Sequence, residues 1–347
     1  MAQDTLGVVL EVARIAAARG SVAQRAQALL EPLHRLVPFE GHWLALLDPD
    51  VQTFAPLAIA GHDDRSRRRL EEHEIVAEVE LLGLDGRRPA VCVRDFPVPA
   101  QEVVTWADYM WPAGYRESLG VGLFTPDGRH LGILGLHTDT PAHPTDAARD
   151  LIGLLSPTIA AALDPTRTPA AAARAVRGAH GGGVLTRAGR VLPLTGLPGH
   201  RLLGPGAALL AVAARQVADG TQYAAFLCPD PSGKVSGEGL VRRVTVLGCA
   251  DEPPHFPCAV IVVSEAGPRR GLTGIELEVL GMLLAEWPDA RIAAALGTSR
   301  YQLAAHIAQA AARLGTANRG VAMVRAFNQG LYIPPGLYIS PGLRARA

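Results

Sequence analysis

The chain has 347 residues, enough for two or three domains at ~150 residues each, and its 48% hydrophobic content is ample for their cores. Its 33 basic and 33 acidic residues cancel, so no global field directs it to nucleic acid or to a membrane. No apolar run reaches the roughly 18 residues of a spanning helix, and the N-terminus carries Asp4 where a signal peptide needs cations, so a cytoplasmic protein away from the membrane is expected.

Residues 1–35 read as helical, with Leu6, Val9, Leu10 and Ala13 along one face. The period then shortens. His42–Leu47 reads as a strand ending in the turn Asp48-Pro49-Asp50, and Phe54–Gly61 as a second strand. A charged helical stretch runs from Arg65 to Glu80. Val91–Val93 is a short strand, and Gln101–Trp111 is helical. Strands Val121–Phe124 and His130–Leu136 flank Pro126-Asp127-Gly128, a turn set by proline's fixed φ and glycine's freedom. Thr145–Leu163 closes the segment as a helix. This order suits an α+β domain with an antiparallel sheet carrying helices on one side. Trp106, Tyr109, Trp111 and Tyr115 fall within ten positions, and they suit either an aromatic-lined ligand pocket or ordinary packing of a helix on its sheet.

Over residues 1–164 the chain resembles a GAF domain, through Leu119-Gly120-Val121-Gly122-Leu123-Phe124 and the run Gly128 to His137. The resemblance implies a sensor with a small-molecule pocket between sheet and helices. Trp106, Tyr109, Trp111 and Tyr115 are its candidate ligand-binding residues, and His137 and Cys92 could also face it. No haem or flavin signature is visible, and no cofactor is expected.

Residues 165–180 read as a linker. His180-Gly181-Gly182-Gly183 has the form of a lipase oxyanion loop, but the G-x-S-x-G elbow that it needs is missing, so a glycine-rich strand start is the better reading. Strands near 183–186, 191–194, 223–228, 241–249 and 258–264, with a helix at 207–218, give 181–266 a pattern that resembles a PAS domain. The four cysteines, Cys92, Cys228, Cys249 and Cys258, are scattered with no C-x-x-C. His255 and Cys258 have ligand spacing with Cys249 nearby, yet no fourth ligand stands out, so no metal is expected. No nucleophile–base pair, metal set or phosphate loop points to an enzyme, and no catalytic residue is assigned.

The C-terminal stretch 271–331 reads as helices with tight punctuation. Leu277, Leu280 and Leu284 form one apolar stripe and Ile275, Val279 and Leu283 another, so the first helix is buried over a broad face. Trp287-Pro288 breaks it. Ile292 and Leu296 line a second helix that Gly297 ends. Ser299-Arg300-Tyr301-Gln302 fits a capping box, in which the serine hydroxyl accepts from the N3 amide and the glutamine side chain from the cap amide. Leu303, Ile307, Ala310 and Leu314 line the third helix. Gly315 ends it, and Asn318 caps a fourth bearing Val321, Val324 and Phe327.

Two short helices joined by a glycine-containing turn suggest a helix-turn-helix. The segment resembles the DNA-binding domain of LuxR-type transcription regulators, through Leu272, Thr273, Glu276, Val279, Leu280, Leu283, Leu284, Ala285, Ile292, Ala293, Leu296, Ser299, Leu303, His306, Leu314, Gly315 and Arg319. It departs from that family at Ile275, where arginine is usual, at Gln302, where threonine is usual, and in a shorter turn at 286–289. The resemblance implies a dimer on double-stranded DNA. Arg300, Tyr301, Gln302, Ala305, His306 and Gln309 would face the groove, with Arg313 and Arg319 near phosphates.

Within 271–330, Arg291, Arg300, Arg313, Arg319 and Arg325 stand against Glu276, Glu278, Glu286 and Asp289, a net charge of +1 and little for phosphate neutralisation. The whole reads as a multidomain protein: an α+β GAF-like sensor (1–164), an α+β PAS-like domain (181–266), an all-α helix-turn-helix (271–331) and a tail (332–347). The expected function is DNA-binding transcription regulation by a homodimer that senses a small molecule or partner. The alternative is a helix-turn-helix without DNA affinity, serving as an interaction or dimerisation module.

Overall fold

A computed structural model describes residues 2–86, 89–218, 220–235 and 238–338. Two compact units emerge: residues 1–167 with 250–256, and 168–249 with 257–347.

The first unit is built on a five-stranded antiparallel sheet in the order β2-β1-β5-β4-β3. The strands are β1 (Gly41–Asp48), β2 (Thr53–Ala60), β3 (Val91–Cys92), β4 (Glu117–Phe124) and β5 (His130–Thr138). Period-2 alternation sends Leu44, Leu46, Leu119, Val121, Leu134 and Leu136 to one face. There they meet α1 (Ala2–Ala17), α2 (Val22–Leu36) and α5 (Asp146–Leu163). The other face presents Trp43, Ala45 and Ile133 to α3 (Asp64–Glu71), α4 (Glu74–Leu81) and a π-helical turn at Thr105–Met110. Helical elements therefore cover both faces, not one side as the element order suggested, because apolar residues stand on both faces of β1 and β5.

Two expected single helices are broken. Residues 1–35 divide at Gly20-Ser21, where Ser21 and Gln24 form a reciprocal capping box that starts α2. The charged helix expected over 65–80 divides between α3 and α4, with Glu72 in extended conformation between them.

The second unit repeats the same strand plan, β7-β6-β10-β9-β8. Its strands are β6 (Ala179–Thr186), β7 (Val191–Pro193), β8 (Tyr223–Val235), β9 (Glu238–Gly248) and β10 (Pro257–Glu265). The glycine run 181–183 lies in β6 and is sterically required there. A Cβ at Gly183 would come 2.4 Å from Val191 Cγ1, and one at Gly182 would come 2.9 Å from the Ile261 carbonyl. Helix α6 (Arg167–Arg174) covers Val184, Val260 and Val262 on one face. On the other, Leu185, Phe226, Val244, Val246, Ile261 and Val263 meet α7 (Ala208–Val217) and the C-terminal helices.

Those helices are α8 (Gly274–Leu284), α9 (Asp289–Leu296), α10 (Arg300–Arg313) and α11 (Arg319–Gln329). They share the sheet's core rather than forming a module with a boundary near 271. The two stripes of α8 serve two cores, except that Ile275 at the start of the second is exposed. Leu277 and Leu280 pack with the sheet residues, whereas Val279, Met282 and Leu283 pack with Ile292, Ala293 and Leu303. A helix apolar around its whole circumference is a buried helix.

Residues 332–337, expected as the start of a tail, also belong to that core. Leu331, Tyr332, Ile333 and Leu337 are buried in it. The Leu227 amide donates to the Tyr332 carbonyl at 2.9 Å, and the Ile333 amide to the Leu277 carbonyl at 3.0 Å. Arg344 and Arg346 lie outside the described residues.

Candidate functional site

In the first unit, a cavity of about 80 Å³ lies between the sheet and α4 with the π-helical turn. Its floor is the sheet face carrying Trp43, Ser118, Gly120, Ile133, Gly135 and His137, and its roof includes Ile75, Val79, Trp106 and Met110. The small residues of β4 and β5 keep the floor low. Among the described residues, the only acid on its walls is Glu78, and it is already engaged. It accepts from Arg69 at 2.6 Å and from the Thr105 amide at 3.2 Å.

At the His137 end of the floor stands an aromatic and imidazole cluster. His137, 7% exposed, lies with its ring centroid 5.1 Å from that of His62 and 5.3 Å from that of Tyr115. Tyr115 donates from its hydroxyl to the Gly61 carbonyl. Neither ring nitrogen of His137 or His62 has a hydrogen-bond partner among the described residues, and the same holds for Trp43 Nε1. Burial holds the His137 pKa down at about 3, helped by His62 and His42. Burial also holds the His62 pKa down, at about 4, partly offset by the Ala60 backbone beside it. Both rings are neutral near pH 7.

The four candidate ligand residues separate. Trp106 lines the cavity. Tyr115 is buried in the same core beside His137. Tyr109 lies under the Arg65 guanidinium, 4.6 Å from its ring centroid. Trp111 is 51% exposed beneath Arg116. Cys92 packs with the opposite core, against the face covered by α1, α2 and α5, and burial pushes its thiol up to about 12. The sequence missed Trp43 and His62. Alternation along β5 from Ile133 through Gly135 puts His137 on the cavity face, a signal that was available. Nothing in the sequence pairs His62 with it.

In the second unit, α9 and α10 are joined by Gly297-Thr298-Ser299, with Gly297 at φ 65° in the left-handed region. The expected capping box is present. Ser299 Oγ accepts from the Gln302 amide at 3.2 Å, and the Ser299 amide donates to Gln302 Oε1 at 3.1 Å. The Gln302 carbonyl oxygen is therefore committed to the helix start. Arg300, Tyr301, Ala305 and Gln309 are exposed, Tyr301 at 86%, and His306 is half-buried.

The cations are less free. Arg313 is ion-paired with buried Glu276. Arg319 donates to both oxygens of Asp289, at 2.8 and 3.0 Å, and holds that carboxyl below its usual range. Arg325 donates to the Leu314 and Gly315 carbonyls at 2.8 and 2.7 Å. Arg291 lies over the Trp287 ring, 3.7 Å from its centroid.

Among the described residues, no group of three or more His, Cys, Asp or Glu is placed to hold a metal, and no helix is long and apolar enough to cross a membrane.

No protein-family profile matches the chain, and no curated protein matches it. Among solved structures it is similar to the GAF domain from a phosphoenolpyruvate-protein phosphotransferase of Coxiella burnetii, with 18% identity, 49% of this chain and 98% of that chain covered, and a TM-score of 0.37. It is similar to the corresponding Acinetobacter domain, with 15% identity, coverage of 47% and 95%, and a TM-score of 0.36. It is also similar to the phycoerythrobilin-bound GAF domain from a cyanobacterial phytochrome, with 15% identity, coverage of 46% and 94%, and a TM-score of 0.35.

Proposed function

We propose that the protein is a DNA-binding transcription regulator whose first unit is a GAF-like sensor of a small molecule. The observation that carries the DNA part is the short, doubly capped α9–α10 pair. Its second helix leaves Arg300, Tyr301, Ala305 and Gln309 open to solvent. A recognition helix meets base edges with its N-terminal residues, and Arg300, Tyr301 and Ala305 occupy the N-terminal half of α10, with Gln309 one turn further on. The sensing part is supported by the cavity between sheet and roof, with unpartnered polar rings at its edge.

The second unit would be a PAS-like sheet fused to the reading helices, and it would work as a homodimer. The exposed apolar residues Val321, Val324 and Phe327 on α11 suit such a contact. A ligand would act by binding two dimer geometries unequally. No catalytic role is assigned, and a cytoplasmic location remains part of the proposal.

The test is selection of genomic fragments by the purified full-length protein at low salt. Enrichment of a shared sequence element supports the reading, and an unenriched pool contradicts it. A second reading has its own observation. With Arg313, Arg319 and Arg325 all engaged by partners within the chain, the four helices could serve as a protein-interaction module that has lost DNA affinity. Selection without enrichment would favour it.

A further inference from the structure

His137 sits on the wall of a cavity with both ring nitrogens lacking a partner among the described residues, in a buried setting where more than about 90% of polar groups are paired. We propose that the cavity takes a small uncharged ligand with one aromatic ring and one hydroxyl group, the hydroxyl meeting His137 and the ring lying among Trp43, Trp106 and Met110. The inference rests on the sensor reading above and names the ligand class of that site.

Charge complementarity excludes ions first. Glu78 is matched by Arg69 and the Thr105 amide, and among the described residues the lining contains no cationic side chain. An anion or a cation would enter without a counter-charge, which burial penalises heavily. A neutral imidazole offers one N–H donor and one lone-pair acceptor. A hydroxyl can complement either, because it both donates and accepts. The remaining walls are apolar, which suits a ring.

Size sets the second condition. The cavity of about 80 Å³ is smaller than the ~150 Å³ apolar cavity that takes benzene, so the roof must shift to admit a ring. Trp106 and Met110 lie on the π-helical turn, where the Trp111 amide donates to the Trp106 carbonyl at 2.8 Å and the Tyr115 amide to the Met110 carbonyl at 3.2 Å. Such wide turns recur at functional sites, and rewinding one displaces the side chains it carries.

The experiment titrates phenol and benzene into the full-length protein and follows tryptophan fluorescence and the imidazole nitrogen NMR signals. Phenol should bind about tenfold tighter than benzene, the worth of one buried hydrogen bond. His137→Leu should abolish that gap, and His137→Gln, which keeps a donor and an acceptor, should restore part of it. Gly135→Ala would place a Cβ 3.4 Å from His137 Nε2 and 3.7 Å from the Trp43 carbonyl, so it should weaken both probes without loss of fold.

Equal affinities, or a gap that survives His137→Leu, would overturn the hydroxyl assignment while leaving a small-molecule sensor in place. Binding of neither probe would mean that water alone occupies the space, and it would overturn the ligand class. Genomic selection is scored independently of all these outcomes, so failure of the regulator reading stays distinguishable.

Discussion

Arg313, at the last turn of α10, reaches back to ion-pair with Glu276 in the first turn of α8, a carboxylate only 1% exposed. Glu276 also accepts from the Thr273 amide at 2.7 Å to complete the α8 cap. The pair ties the candidate reading helix to the helix that bridges the two cores. It also gives a cation expected near phosphate a structural partner.

Arg313→Ala should therefore destabilise the second unit by about 1–3 kcal/mol, below the 3–5 of a wholly buried pair because the arginine is partly solvated. Glu276→Gln in the same chain should recover part of the loss by removing the stranded charge. Urea unfolding of the single and double variants measures both. Additive losses would show that the pair is energetically idle.

The tail offers a second test. Tyr332→Ala should cost about 3–5 kcal/mol, the range for deleting a large buried ring. A segment spanning 271–331 alone should not fold, because Leu277, Leu280, Ala310 and Leu314 would lose the sheet residues that cover them. Dispersed amide NMR signals from that isolated segment would contradict the shared core.

The buried histidines predict a pH window. Their folded pKa values, about 3 for His137 and about 4 for His62, lie below the ordinary 6.5. The unfolded chain then binds more protons than the folded one between those limits. Stability is complete above about pH 6.5 and falls as pH drops toward 4, by on the order of 1 kcal/mol per pH unit for each ring. Urea midpoints of the wild type and His137→Gln at pH 7 and pH 5 test this. The variant should lose less on acidification, and equal losses would place the effect elsewhere.

Much of this was readable from local chemistry. The Ser299–Gln302 box, the Gly297 stop and the β4–β5 turn follow from short-range geometry, and the structure has them as expected. The two stripes on α8 were visible too, but not that each would meet a different core. Helix α11 buries Ala322 and Ala326 and leaves its larger apolar residues Val321, Val324 and Phe327 exposed. Close helix contact favours a small residue, and hydrophobicity alone does not reveal that. The expected regular helix over 101–111 is instead a 3₁₀ turn and a π-helical turn, set by long-range packing over the cavity. The His62–His137 contact joins residues 75 positions apart, beyond the reach of any local pattern.

Salt dependence of DNA binding tests the central claim most directly. With Arg313 held by Glu276, a dimer offers Arg300 twice, and Arg319 twice if its exposed pair with Asp289 exchanges for phosphate. At about −0.9 per phosphate, log K against log salt should fall with a slope between about −2 and −4 on a selected duplex. Arg300→Ala should flatten it by about 2 in a dimer that uses both copies. A selected duplex held no better than a scrambled one at every salt concentration, with Arg300→Ala indistinguishable from wild type, would contradict DNA binding and leave the interaction-module reading in its place.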